Sequence, residues 1–193
     1  RISMDEAQAM RGELADVADV VEQAIREADE PLKAFAQQVK DVQGVELLAA
    51  GPTFSSAQFG AAKVLEAVGK QSAALNTEEF VHMHYFERNA ESIATLLLVP
   101  EGSAATSRSN EVATLLTNLR RPWIALGDVA GGANAIKIPA VREDFAPIVF
   151  SAVAALFAAH LQDATGEIEG RGATGQWADC VDGNTTRNSQ IIY

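Results

Sequence analysis

The chain has 193 residues, 48% hydrophobic and 21% charged, an ordinary globular composition that suits about one to one and a half domains and excludes general disorder. Fifteen Lys and Arg against 26 Asp and Glu give a formal net charge of −11, which repels a phosphate backbone and argues against nucleic-acid binding. The single cysteine, Cys180, cannot close an internal disulfide, so a reducing, cytoplasmic home is expected.

Residues 1–43 read as helix. Ala7, Met10, Leu14, Val17, Val20 and Val21 recur at three- and four-residue spacing and form one apolar stripe. Asp5, Glu6 and Glu13 intrude too early for a signal peptide. The first residue is Arg1 rather than Met, which suggests a processed chain or a piece of a longer one. Pro31, preceded by Asp29 and Glu30, predicts the start of a second helix, with Leu32, Phe35, Ala36 and Val39 on one face and Gly44 at its end.

The period then changes. Residues 45–50 form a short apolar run closed by Gly51-Pro52, which predicts a buried strand and a tight exit. A helix is expected over 57–68, and 71–75 could supply a short strand. Residues 93–99, ending at Pro100, and 123–126, stopped by Gly127-Asp128, predict two more strands, with a weaker one at 135–138. Helical patterns cover 110–120 and 146–164. The run 146–161, broken by Ser151 and His160, falls short of the roughly 20 residues of a membrane span and reads as a core helix, so no membrane partner is expected. Apolar strands alternating with helices predict an α/β fold, a doubly wound, mainly parallel sheet flanked by helices. The predicted organisation is an N-terminal helical connector over 1–44, an α/β domain over 45–165 and an irregular tail over 166–193. Within that tail, Trp177 and Ile191-Ile192-Tyr193 suggest docking.

In such a sheet ligands bind beyond the carboxyl ends of the strands. Ser55 and Ser56, after Gly51-Pro52, either cap the next helix or receive an anion. In residues 101–111, Ser107, Arg108 and Ser109 suit a phosphate, unless Ser109 or Asn110 only caps a helix. Lys63 and Glu66 share a helix face and are the only ionisable residues between positions 57 and 68. Glu78, Glu79, His82 and His84 are close in sequence, but their spacing does not match the helical zinc pattern, so no metal is expected. No G-x-G-x-x-G follows the first strand, and no cofactor is expected.

Residues 49–57, then Lys63-Val64-Leu65-Glu66 and Glu79-Phe80-Val81-His82, resemble the second half of double sugar isomerase (SIS) domain proteins. These include the isomerase part of glucosamine-6-phosphate synthase and the fructosamine-6-phosphate deglycases. In that family a glycine-rich turn leads into a helix bearing Lys-x-x-Glu, and a histidine follows sixteen residues later, the separation of Glu66 and His82. The likeness spans about residues 45–130, and the preceding helices resemble the family's connector. Met83-His84 stands where the family has Gly-Pro, and Ser107 to Val112 stand where it has its Ser-x-Ser-Gly-x-Thr phosphate loop. The family's tail lysine has no counterpart, and Arg187 stands nearest to it.

The resemblance implies aldose–ketose proton transfer on a sugar or amino-sugar phosphate. Glu66 would be the base, Lys63 and His82 its assistants, and Ser55, Ser107, Ser109 and Arg187 would bind substrate. It also implies a homodimer with a shared active site, and a missing N-terminal SIS half without which the chain is inactive. The alternative is a SIS module that binds sugar phosphates without turnover.

Overall fold

The computed structural model describes residues 2–171. Five strands form one all-parallel sheet: β1 (Gly44–Ala49), β2 (Gln71–Asn76), β3 (Ile93–Val99), β4 (Trp123–Gly127) and β5 (Ala135–Ile136), in the order β2-β1-β3-β4-β5. The helices are α1 (Met4–Gln38), α2 (Phe54–Val68), α3 (Thr77–His82), α4 (Thr106–Asn118) and α5 (Ala146–Thr165).

Alternate strand residues enter two separate cores. Val45, Leu47 and Ala49 of β1, with Leu96 and Leu98 of β3, pack under α1, α2 and α5. Leu48, Leu97 and Val99 pack with Phe80 of α3 and Val112 and Leu116 of α4. Both faces are covered, so the central strands are apolar but for Glu46 in β1 and Thr95 in β3, as a parallel sheet favours. The expected fold class holds, and 71–75 is a strand, at the sheet edge.

The α5 helix is long and apolar enough by composition to cross a bilayer. Here it is a core helix. Val149, Phe150, Val153, Phe157 and Leu161 are buried, Phe157 lies 5.8 Å from Phe35 of α1, and His160 Nε2 is 2.8 Å from Asp29 Oδ1.

Three sequence expectations need correction. Pro31 does not divide the N-terminal region: α1 runs unbroken through it. Proline leaves the Glu27 carbonyl without its helical partner, but Pro31 sits on the exposed side, where water can satisfy that group, while Ala28, Leu32, Phe35 and Ala36 continue the buried stripe. The helix ends at Gln38, and Gly44 opens β1 instead of closing the helix. Finally, α4 starts at Thr106 rather than near 110, which moves Ser107 and Ser109 from a loop into the first helical turns.

Candidate functional site

The chain passes from β1 outward to β2, then returns across β1 to β3. The order therefore reverses between β1 and β3, and at that point the loops beyond the carboxyl ends diverge and leave a crevice. Two segments border it. Gly51–Thr53 forms a single 3-10 turn, and Gly51, at φ +59°, enters it in a backbone region that favours glycine. Residues 100–105 lead from β3 into α4, whose N-terminus carries no side-chain cap. The Ala105 and Thr106 N–H groups bond Ser103, which leaves those of Ser107 and Arg108 to face an anion.

Ser109, one turn into α4, is buried and its hydroxyl has no partner. The hydroxyls of Thr53, after β1, and Thr77, after β2, are likewise buried and unpartnered. Burying a hydroxyl without a bond is costly, and all three follow carboxyl ends of adjacent strands. Across the crevice, Thr106 Oγ1 donates to Asp128 Oδ2 at 3.4 Å, and Asn110 Oδ1 accepts from the Ala130 N–H at 2.8 Å, which ties α4 to the loop after β4. Beside it, a cleft of about 410 Å³ is lined by Glu101, Asp128, Lys137 and Gly127. Gly127 has φ +109°, and a Cβ there would lie 1.9 Å from the Val99 carbonyl oxygen, so no side chain fits.

Neither serine of the first loop is a cap: α2 starts after Thr53 without a side-chain cap bond. Ser55 is exposed and its hydroxyl donates to the Pro52 carbonyl at 2.8 Å. Ser56 is buried and donates to the Pro147 carbonyl at 2.9 Å, pinning α2 to α5. Nor do Ser109 or Asn110 cap α4, whose cap residue is Ala105. Ser107 is exposed at the start of α4. Arg108 is already committed: it donates to Glu78 of α3 at 2.8 Å and is also paired with Glu111.

Lys63 and Glu66 meet in an ion pair on the outward side of α2, with Glu66 68% exposed. Lys63 also lies 5.5 Å from the centre of the Phe59 ring. His82, at 64% exposure, closes α3 and bonds Glu78 at 3.0 Å instead of joining that pair. The His82 hydrogen bond holds the Glu78 carboxyl below its ordinary value; desolvation opposes it, and the charge and hydrogen bond of Arg108 add to the lowering. No hydrogen bond or ion pair joins His82 to Glu66 among the described residues. Arg187, Trp177 and the terminal Ile191-Ile192-Tyr193 lie outside the described residues.

Sequence reasoning missed the unpartnered Thr53 and Thr77 hydroxyls, the place of Asp128, the capture of Arg108 by Glu78, and the buried Glu46–Arg121 pair. Only the last had a signal, a glutamate inside an otherwise apolar strand.

No protein-family model matches the sequence, and no curated protein matches it. Solved structures do. The C-terminal domain of glucosamine-fructose-6-phosphate aminotransferase from Francisella tularensis superposes with a TM-score of 0.75 at 16% identity, over 86% of this chain and 47% of that one. An Escherichia coli CFT073 protein, solved as a ligand complex, gives 0.67 at 14% identity, over 89% of this chain and 97% of that one. The tagatose-6-phosphate ketose/aldose isomerase of Escherichia coli gives 0.55 at 19% identity, over 75% and 44%. The chain thus spans about half the length of the first solved structures it matches. Strand order, the two covered sheet faces and these superpositions agree that the chain has the sugar isomerase (SIS) type of fold.

Proposed function

We propose that this chain is one half of a phosphosugar isomerase or deglycase, acting on a sugar or amino-sugar phosphate through proton transfer at Glu66. The observation that carries this reading is the outward side of α2. Lys63 and Glu66 are its only ionisable groups between positions 57 and 68, and Phe59 and Leu65 are 41% and 52% exposed beside them. A solvated helix face is ordinarily polar throughout, so an ion pair framed by a bare Phe and Leu suits a surface that a second SIS-type unit covers.

Aldose–ketose interconversion needs one base that removes a proton from C2 or C1 and returns it to the other carbon. In the isolated chain Glu66 is open to water and paired with Lys63. Covering α2 would take its carboxylate out of water and hold it against the substrate carbons. Lys63 would then be free to bind a substrate oxygen, and His82 to serve the ring-opening proton from across the same interface. The phosphate would sit over the uncapped start of an α4, where Ser107 and the unpartnered Ser109 hydroxyl lie. Because Glu66 is in the last turn of α2, away from the start of its own α4, that α4 would belong to the covering unit. Ser55 borders the other wall of the crevice, and Arg187 would close the site from the tail. The same proton transfer, followed by loss of an amine from C1, would make a deglycase. The solved structures of this fold include a tagatose-6-phosphate ketose/aldose isomerase, which is in keeping with such a substrate. A reducing cytoplasm and a homodimer belong to this reading.

A second reading, binding without turnover, draws on the separation of His82 from Lys63 and Glu66. Incubating the full-length protein with hexose or hexosamine 6-phosphates in deuterated water separates the two. Catalysis incorporates deuterium at C1 or C2, and Glu66→Gln slows that exchange by about a hundredfold or more while substrate still raises the melting temperature. Exchange at the parental rate in Glu66→Gln removes Glu66 as the base. Stabilisation by substrate with no exchange in the parent protein leaves a binding module.

A further inference from the structure

The two edges of the sheet differ. At one edge β5 pairs over only two residues, too short to template another strand. At the other, β2 runs six residues in unbroken register with β1, about 20 Å of strand. Its sequence, Gln71-Ser72-Ala73-Ala74-Leu75-Asn76, has no charge, no proline and no bulge, the devices that ordinarily guard an open edge. Among the described residues no backbone hydrogen bond reaches its outer side.

The flank above that edge is uncharged too. The inner side of α2 is fixed by Ser56, bonded to the Pro147 carbonyl, and by Gly60, seated against Leu47 and Ala154. Helical rotation then turns Gln58, Ala62 and Leu65 to the side away from α5, along the β2 edge. All three are exposed. Charge returns only at the two ends of the strand. Lys70, which donates to the Val42 carbonyl at 2.7 Å and keeps further donors, precedes it. Exposed Glu78 and Glu79 follow it.

We propose that the β2 edge is the pairing site for β2 of a second copy of this chain, antiparallel about a twofold axis, which joins the two sheets into one. The antiparallel sense sets the basic end of each strand against the acidic end of the other. Directly opposed residues point to the same face of a sheet, so a twofold pair must have one residue on the axis, opposite itself. At the middle of β2 that residue is Ala73 or Ala74, and either is small enough to let the strands close. Leu65 of each copy is covered beside the paired strands. The pairing needs a second copy beside α2 and none of the chemistry proposed for Glu66.

Amide hydrogen exchange on the full chain, run from dilute to concentrated solution alongside sedimentation velocity, tests it. Dimers are expected to form with concentration, and alternate N–H groups of residues 71–76 to exchange about tenfold slower or more in the dimer. In a Cys180→Ser background, one of Ala73→Cys and Ala74→Cys should give a disulfide-linked dimer on mild oxidation, and Gln71→Cys should not. A chain that stays monomeric, a dimer whose β2 amides exchange at the monomer's rate, or cross-linking by neither alanine replacement overturns the pairing. Protection that persists in the dilute monomer assigns the edge to another segment of the same chain and overturns it as well. Deuterium incorporation into substrate reports on Glu66 separately, so either reading can fail while the other stands.

Discussion

Arg121 shows how one side chain can organise a buried polar cluster. Taking a guanidinium out of water pulls its pKa down, and the attraction of Glu46 opposes that shift. Removing one member leaves the other as an unpaired buried charge, so Arg121→Met should cost about 3–5 kcal/mol. Replacing both, with Glu46→Leu added, should recover most of that loss, because apolar residues of similar volume suit the surrounding core. Urea denaturation of the two variants checks this, and equal losses in the single and double variants would contradict it. The contrast with Lys63 and Glu66 is instructive. That pair is exposed and contributes little to stability by itself, so its presence on an apolar face calls for a reason other than folding.

At the level of elements, α2 is fixed by close approach. A Cβ on Gly60 would lie 2.5 Å from Leu47 Cδ2 and 2.8 Å from the Ala154 Cβ, so the helix seats its backbone directly on β1 and α5. Helix propensity alone would make Gly60→Ala stabilising by about 1 kcal/mol. Overpacking should outweigh it and leave the variant less stable by about 1–2 kcal/mol, read as a fall in thermal midpoint. The seating matters for function because it sets the rotation of α2. With Gly60, Ala61, Val64 and Val68 turned inward, Phe59, Leu65 and Glu66 must face out. In α1 the same logic overrides a local signal: Pro31 would be expected to begin a helix, yet burial of Ala28, Leu32 and Phe35 carries the helix across it.

For the molecule as a whole, the exposed Phe59 and Leu65 mark a surface that the fold leaves uncovered. If a second SIS-type unit covers it, the chain should self-associate in a concentration-dependent way, and Phe59→Ser with Leu65→Ser should abolish that association without lowering the thermal midpoint. Sedimentation velocity reads the first and calorimetry the second. A chain that stays monomeric at all concentrations would count against α2 as the contact.

The fold was largely legible in the sequence. Strands buried on both faces leave mostly apolar runs, as at 45–50, 93–99 and 123–126, broken only by Glu46 and Thr95, and glycine or proline closes each one. Periodicity also gave α2 and α5 and the pairing of Lys63 with Glu66, because contacts three residues apart are local. Contacts between distant segments were not legible. The capture of Arg108 by Glu78 depends on how α3 and α4 pack, and that of the Ala130 N–H by Asn110 on how α4 meets the loop after β4. The meeting of Glu46 with Arg121, 75 residues apart, is of the same kind. Local periodicity thus determined which residues are inside and which helix faces carry charge. Only tertiary packing decided which charged groups meet, because that depends on strand order and helix rotation, and no short stretch of chain encodes either.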